Sequence, residues 1–125
     1  MIIDTSAILA IFFKEKNCAW VADQMKAHAS ELKMSTVSLT ETLILLQDRQ
    51  PKLFSKLEEQ ILCSGIRFIT PDVEQARIAA KARIKFPLNL GDCFVYALAV
   101  QENSPILTLD KDFNVLTHEI LFPLS

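Results

Sequence analysis

Apolar positions along the chain fall into two alternating kinds of run. Short runs rich in β-branched and aromatic residues, at 1–3, 32–34, 66–69 and 106–109, read as buried strands. Longer stretches with polar faces lie between them and read as helices over residues 5–13, 18–29, 36–50, 52–63, 72–86 and 90–102. A last short run at 120–122 reads as an edge strand. The punctuation agrees with these limits. Asn17 and Asn89 are suited to cap helices, Pro51 closes the third helix, and Gly65 is a natural stop for the fourth. Val21, Met25 and His28 share one stripe of the second helix, with His28 read as a partly buried structural residue. Val73, Ala76, Ala79, Ala80 and Ile84 are expected to face the core from the fifth. Residues 93–100 are apolar on every side except for the Tyr96 hydroxyl, which predicts a central helix. Strands alternating with helices imply a mainly parallel sheet covered on both faces. No repeat, low-complexity stretch or linker interrupts the pattern, so residues 1–125 are read as a single α/β domain.

Composition narrows the function classes. Half of the residues are hydrophobic, enough for a substantial core. Only two glycines occur, and neither Gly65 nor Gly91 belongs to a phosphate-cradling loop. The formal net charge of -2 gives no general attraction to nucleic acid, so any such contact needs a local basic patch. Cys18, Cys63 and Cys93 form no C-x-x-C pair, and His28 and His118 are the only histidines. A zinc site and a disulfide framework are therefore not expected, and free thiols suit a reducing cytoplasm. The first residues lack the basic start of a signal peptide. No apolar run approaches the roughly 20 residues that span a bilayer.

The chemistry rests on acids far apart in sequence. Asp4 ends the first strand, Glu41 lies in the helix after the second, Asp92 opens the central helix, and Asp110 ends a late strand with Asp112 two residues on. Each has a simpler reading. Asp4 could cap the following helix, and Glu41 could belong to a capping box, Ser38-Leu39-Thr40-Glu41. In a parallel sheet, however, the carboxyl ends of the strands share one rim, where ligands bind. The topology could thus gather all of these acids. Two unit charges 4 Å apart repel by about 4 kcal/mol at an effective dielectric near 20. A cluster of this kind must bind protons or a counter-ion, and oxygen-only ligands suit Mg²⁺ or Mn²⁺. Thr5, Ser6 and Thr108 could orient ligands through their hydroxyls. A hard cation held by carboxylates suggests hydrolysis at phosphorus with no protein nucleophile. Arg77, Lys81, Arg83 and Lys85 make residues 72–86 the most basic stretch, which is either a solvated face or an RNA contact.

Three of these segments resemble a known family. Met1-Ile2-Ile3-Asp4-Thr5-Ser6-Ala7 is similar to the opening of PIN-domain ribonucleases. Leu90-Gly91-Asp92-Cys93-Phe94-Val95-Tyr96-Ala97-Leu98-Ala99 is close to their third acidic motif, and Leu107-Thr108-Leu109-Asp110-Lys111-Asp112-Phe113 to their last. Glu41 sits where their second acid is expected. Among PIN domains the chain is most similar to VapC-type toxins of toxin–antitoxin pairs. The resemblance implies a three-layer α/β/α fold and an endoribonuclease dependent on Mg²⁺ or Mn²⁺. Asp4 and Asp92 would be core metal ligands, Glu41 would complete the pocket, and Asp110, with Asp112 as second choice, would be the fourth acid. It also implies an RNA substrate, a cognate antitoxin, a homodimer and a cytoplasmic, membrane-free setting. The segment before the third motif is shorter than in many relatives. The competing readings are a receiver-like binding module, which would want an acidic pair where Thr5 and Ser6 follow Asp4, and an inactive PIN fold that only binds partners.

Overall fold

The computed structural model describes residues 1–124. Strands β1 (Ile2–Ile3), β2 (Lys33–Ser35), β3 (Arg67–Ile69), β4 (Ile106–Leu107) and β5 (Ile120–Leu121) form one parallel sheet, ordered β3-β2-β1-β4-β5. Helices α1 (Thr5–Phe12), α2 (Cys18–Ala27), α3 (Thr36–Arg49), α4 (Phe54–Leu62), α5 (Val73–Lys85) and α6 (Leu90–Glu102) cover it. Side chains alternate across a strand, so neighbouring residues feed opposite layers. Ile2 and Ile106 join Ala79, Ala82, Leu98 and Phe113 in the cluster under α5 and α6. Ile3 and Leu107 join Ala7, Ile8, Val21 and Ile61 in the cluster under α1, α2 and α4. The result is the expected α/β/α sandwich.

The sheet order decides between two of the readings. Strand order reverses between β1 and β4, the switch point at which doubly wound sheets open a crevice. Receiver-like folds run 2-1-3-4-5 instead. The receiver reading is therefore set aside on topology.

The elements depart from the sequence pattern in informative places. The apolar run at 106–109 predicts a strand, but the strand covers only Ile106–Leu107; the Thr108 N–H still donates to the Leu121 carbonyl at 3.2 Å, and the Leu109 N–H turns to the Ser6 hydroxyl. A 3₁₀ turn, Lys111–Val115, follows, its start held where the Asp110 side chain accepts from the Asp112 N–H at 2.9 Å. The helix at 18–29 stops at Ala27, and a second 3₁₀ turn spans Ala29–Glu31. Asn17 stands at the cap position of α2, but in the left-handed region at φ 72° and without a side-chain capping bond. The capping box at Ser38 does not form. Ser35 caps α3 through the Val37 N–H at 3.1 Å, and Ser38 lies buried inside the helix. His28 is half-buried, its Nδ1 against the Gln24 carbonyl at 2.9 Å.

The largest correction concerns α5. Val73 and Ile84 are 78% and 90% exposed, and Ala76 and Ala80 face solvent as well. Gln75, Ala79 and Ala82 are the buried stripe. Polar anchors fix this phase: Asp72 caps α5 through the Gln75 N–H, and Gln101 of α6 donates to the Asp72 carboxylate while accepting from the Gln75 amide. These bonds rotate the helix away from the phase that hydrophobicity alone suggests. Among the described residues, no helix is long and apolar enough to cross a membrane.

Leu98→Ala removes a fully buried side chain from α6 and is expected to cost about 2–5 kcal/mol. Ile84→Ala is expected to change stability by less than about 0.5 kcal/mol. Urea denaturation of both variants checks that Leu98 is core and that the Ile84 face of α5 is outside.

Candidate active site

The crevice between β1 and β4 is built by main-chain pairing. The Asp4 N–H donates to the Leu107 carbonyl at 3.0 Å, so the residues just beyond both strands emerge side by side. Asp4 leaves β1 there and begins α1; Thr108, Leu109 and Asp110 leave β4. The first turn of α6 arrives at the same rim with Asp92, because Asn89 caps that helix through the Asp92 N–H at 2.8 Å. Glu41 reaches it from the second turn of α3.

Asp4 is buried and held on one side. Its Oδ2 accepts from the Ser6 hydroxyl at 2.7 Å, the Thr108 hydroxyl at 2.9 Å and, more weakly, the Ser6 N–H at 3.4 Å. The Thr108 hydroxyl in turn accepts from the Asp110 N–H at 2.9 Å, and the Ser6 hydroxyl from the Leu109 N–H at 3.0 Å. Two hydroxyls thus lock the ends of β1 and β4 together and fix Asp4's rotamer. Asp92 is different. It is buried too, and its Oδ2 has no hydrogen-bond partner. Leaving a buried polar oxygen unpaired is costly, more so for a charged group. Carboxylate oxygens of Asp92, Asp110 and Asp112 all lie within 4.8 Å of one another.

The charges answer to this crowding. Burial, then Asp4, Asp110, Glu41 and Asp112, pushes Asp92 up to about 7. Burial also raises Asp4, against the Ser6 and Thr108 hydrogen bonds, with Asp110 adding to the rise. Glu41 is raised by burial and by Asp4, and its Thr5 hydrogen bond opposes both. Ion pairs among the described residues, Lys33–Glu102 and Arg77–Glu74, involve none of these acids. An unpaired buried oxygen among hard oxygen donors, with no cation from the chain, fits a small divalent ion.

The structure therefore brings together Asp4, Glu41, Asp92 and Asp110, and it places Asp112 in the cluster alongside Asp110 rather than instead of it. Thr5 is present through its hydroxyl, which contacts the Ser38 carbonyl at 3.2 Å and Glu41 Oε1 at 3.4 Å. One contributor is not apparent from sequence reasoning. Gly91 faces Glu41 so closely that a Cβ there would lie 2.7 Å from Oε2 and 2.9 Å from Oε1. Its lack of a side chain is what seats the Glu41 carboxylate on α6. The lone glycine ahead of Asp92 is the signal, but only tertiary structure shows what it accommodates.

The basic residues of α5 are spread out. Because α5 and α6 run antiparallel, Arg77 lies nearer the opposite edge of the sheet, and it is paired with Glu74 at 3.1 Å. Lys81 and Lys85 line a cavity of about 280 Å³ with Phe86 and Tyr96, and Lys85 sits 5.3 Å over the Phe86 ring. Arg83 is exposed, and its charge is felt at Cys93 near the start of α6.

Comparison with known proteins agrees with this architecture. The PIN-domain profile matches residues 1–119. Ribonuclease VapC28 of Mycobacterium tuberculosis is 34% identical over 122 residues, spanning 90% of this chain and 91% of its own. Ribonuclease VapC42 of the same species is 34% identical over 132 residues, 98% of each chain. Among solved structures, the Mycobacterium tuberculosis sarcin–ricin-loop-cleaving toxin VapC20 aligns over 98% of both chains with a TM-score of 0.79 at 17% identity. The toxin–antitoxin complex VapBC of Salmonella typhimurium, bound to DNA, gives 0.79 over 97% of this chain and 96% of that one at 16% identity. With its fold, its rim of acids and its sequence all in agreement over nearly the whole length, the chain belongs to the PIN-domain family, in its VapC ribonuclease branch.

Proposed function

We propose that this PIN-domain ribonuclease is the toxin of a toxin–antitoxin pair and cuts RNA internally with the help of Mg²⁺ or Mn²⁺ held by its rim acids. The observation that carries the metal is the buried, partnerless Oδ2 of Asp92 among the carboxylates of Asp4, Glu41, Asp110 and Asp112. An RNA phosphodiester adds a further negative charge to that pocket, so neutralisation must come from outside the chain. Asp4 and Asp92 are the core ligands in this reading, with Asp110 and Asp112 beside Asp92 and Glu41 completing the pocket. A divalent ion, when bound, lowers the pKa of a water and offsets charge building up on the phosphate. The reaction adds water oxygen to phosphorus and breaks one P–O bond to ribose.

The chain's own part is to hold the acids ready. Ser6 and Thr108 fix Asp4. Thr5 and the bare backbone of Gly91 seat Glu41. The N-terminus of α6 favours an ionised Asp92 through its dipole, while the surrounding acids oppose it. The pocket is therefore rigid, so little reorganisation is needed when substrate arrives. Convergence of every acid argues against a fold kept only for binding partners.

Solved neighbours include toxin–antitoxin complexes from Klebsiella pneumoniae and Salmonella typhimurium. The partner of this chain is, on that basis, a cognate antitoxin. A basic side chain from it, placed among the rim acids, would satisfy the same oxygens as a metal ion and block the site. The homodimer and the cytoplasmic setting expected from the sequence remain part of this reading.

RNA cleavage is expected only with Mg²⁺ or Mn²⁺ and is expected to stop with EDTA. Asp4→Asn and Asp92→Asn should each reduce cleavage to background while circular dichroism stays native; cleavage at the wild-type rate by either variant would defeat the assignment. Gly91→Ala should retain the fold, since the atom it meets ends a flexible side chain, and lose activity by roughly 10- to 100-fold, the range for a disturbed supporting residue.

A pH dependence of stability follows from Asp92. Its folded-state pKa of about 7 exceeds the ordinary aspartate value of 3.8, so between those values the folded chain binds more protons than the unfolded one. Stability of the metal-free protein is then highest below the lower value and falls as pH rises through about 7. Asp4 and Glu41 shift in the same direction. Thermal melts without metal should drop between pH 5 and 8, and added Mg²⁺ should raise the midpoint more at pH 8 than at pH 5. A melt independent of both would show that the acids do not repel.

A further inference from the structure

The turn joining α1 to α2 is held in an unusual conformation. Lys14 and Asn17 both have left-handed backbones, at φ 50° and 72°, and neither is glycine. L-residues avoid that region unless the surroundings impose it, and such residues cluster at functional sites. Here main-chain bonds impose it: Glu15 N–H donates to the Ala10 carbonyl at 2.9 Å and Cys18 N–H to the Glu15 carbonyl at 3.1 Å. The Asn17 side chain, released from capping α2, is left without a role in the helix.

This turn forms one wall of a groove that adjoins the acid cluster. A hollow of about 400 Å³ is lined by Lys16, Asn17, Arg49, Ser6 and Leu109, with Glu15 its one acid. A second hollow, of about 370 Å³, shares Lys16, Asn17 and Leu109 and is also lined by Lys111 and Phe122. The link to the catalytic rim is direct. The Ser6 hydroxyl that lines the groove is the one bonded to Asp4, and it also accepts from the Leu109 N–H. Lys16, Arg49 and Lys111 form no ion pair among the described residues. Arg49 is steadied instead by the Phe13 ring, whose centroid lies 4.9 Å from its guanidinium carbon. Stacking orients a guanidinium while leaving its edge free to grip an oxyanion.

We propose that this groove, with Lys16 and Arg49 as its principal contacts and Asn17 in its lining, binds the phosphates of RNA nucleotides flanking the one being cut. The inference rests on the ribonuclease reading and adds a substrate path to it. The carboxylate rim repels a polyanion, so RNA needs a neighbouring run of cations that starts where the acids end. This groove meets that need: its cations share the lining with Ser6 and Leu109, and Phe122, which lines the second hollow, offers a ring on which a base can stack. On α5, Arg77 is committed to Glu74 and lies nearer the opposite edge of the sheet, while Lys81 and Lys85 line a separate cavity that shares no residue with this groove.

The test uses the full chain with Asp92→Asn to prevent turnover, and fluorescein-labelled single-stranded RNA of mixed sequence as probe. Adding Lys16→Ala and Arg49→Ala should weaken RNA binding at least about 10-fold and lower the slope of log K against log salt by about 1.4, some 0.7 for each phosphate no longer neutralised. Lys16→Arg with Arg49→Lys should keep most of the slope. In the active enzyme, the alanine pair should raise KM with kcat little changed. Both residues are exposed, so melting should be unaffected and serves as the folding control. Wild-type cleavage together with unchanged binding and slope in the alanine pair would overturn the groove alone. Weakened capture of polyglutamate with RNA affinity intact would assign the groove to an acidic polypeptide and overturn it as well. Absence of RNA cleavage by the wild-type chain would remove the ribonuclease reading and the groove with it.

Discussion

Carboxylates from the end of β1, α3, α6 and the segment after β4 repel one another across the crevice between β1 and β4, and no ion pair among the described residues offsets them. Each pair costs a few kcal/mol in a partly buried setting, which is a large fraction of the roughly 5–15 kcal/mol by which domains are typically stable. The remainder of the molecule must supply that energy. It does so with two apolar layers, one on each face of the sheet, that share the strands residue by residue. Burial of Ile2, Ile3, Ile106 and Leu107 is complete, so the strand ends that carry the acids cannot splay to relieve the repulsion.

The acids divide into held and unheld. Asp4 has hydroxyl donors on Oδ2, and these favour its charged form against burial. Asp92 lacks a partner on Oδ2 and is lifted to about 7, toward neutrality. Different surroundings give two chemically identical groups different jobs. Asp4 is the fixed point to which β1 and β4 are both tied, and Asp92 is the one left with an unpartnered oxygen, although burial raises both. Ser6 and Thr108 matter because they make the first role possible. A valine at 108 would keep the strand's shape, yet it would leave Asp4 and the Asp110 N–H each short of a partner.

The sequence made the α/β/α layering legible because short β-branched runs are separated by longer amphipathic runs, here pairs of helices between successive strands from β1 to β4. It also made the rim legible. An acid directly after an apolar run ends a parallel strand, and an acid just after a capping Asn opens a helix, and both places lie on one edge. What it hid were features set by long-range partners. The phase of α5 follows Asp72, Gln75 and Gln101 rather than its own alanines, which leaves Ile84 in solvent. Glu41's seat depends on Gly91, fifty residues away. The choice between Asp110 and Asp112 dissolves because a 3₁₀ turn, invisible to periodicity, folds both toward Asp92. Arg49 and Lys16 meet only because α3 ends beside the α1–α2 turn, and neither lies in a basic run that composition would flag.

Charge on this molecule is arranged by position rather than by total. With a formal net charge of -2 it has no global field to draw in RNA. Attraction must therefore be local, and it must not reach the acids, or lysines and arginines would quench them as internal ion pairs. The hydroxyls of Ser6 and Thr108 provide the needed boundary. They are neutral, they bind Asp4, and Ser6 also lines the hollow that holds Lys16 and Arg49. The crevice is thus left open to anything positive that comes from outside. A proton or a cation from outside would answer the same unpaired oxygen, so acidity and added positive charge act on one equilibrium.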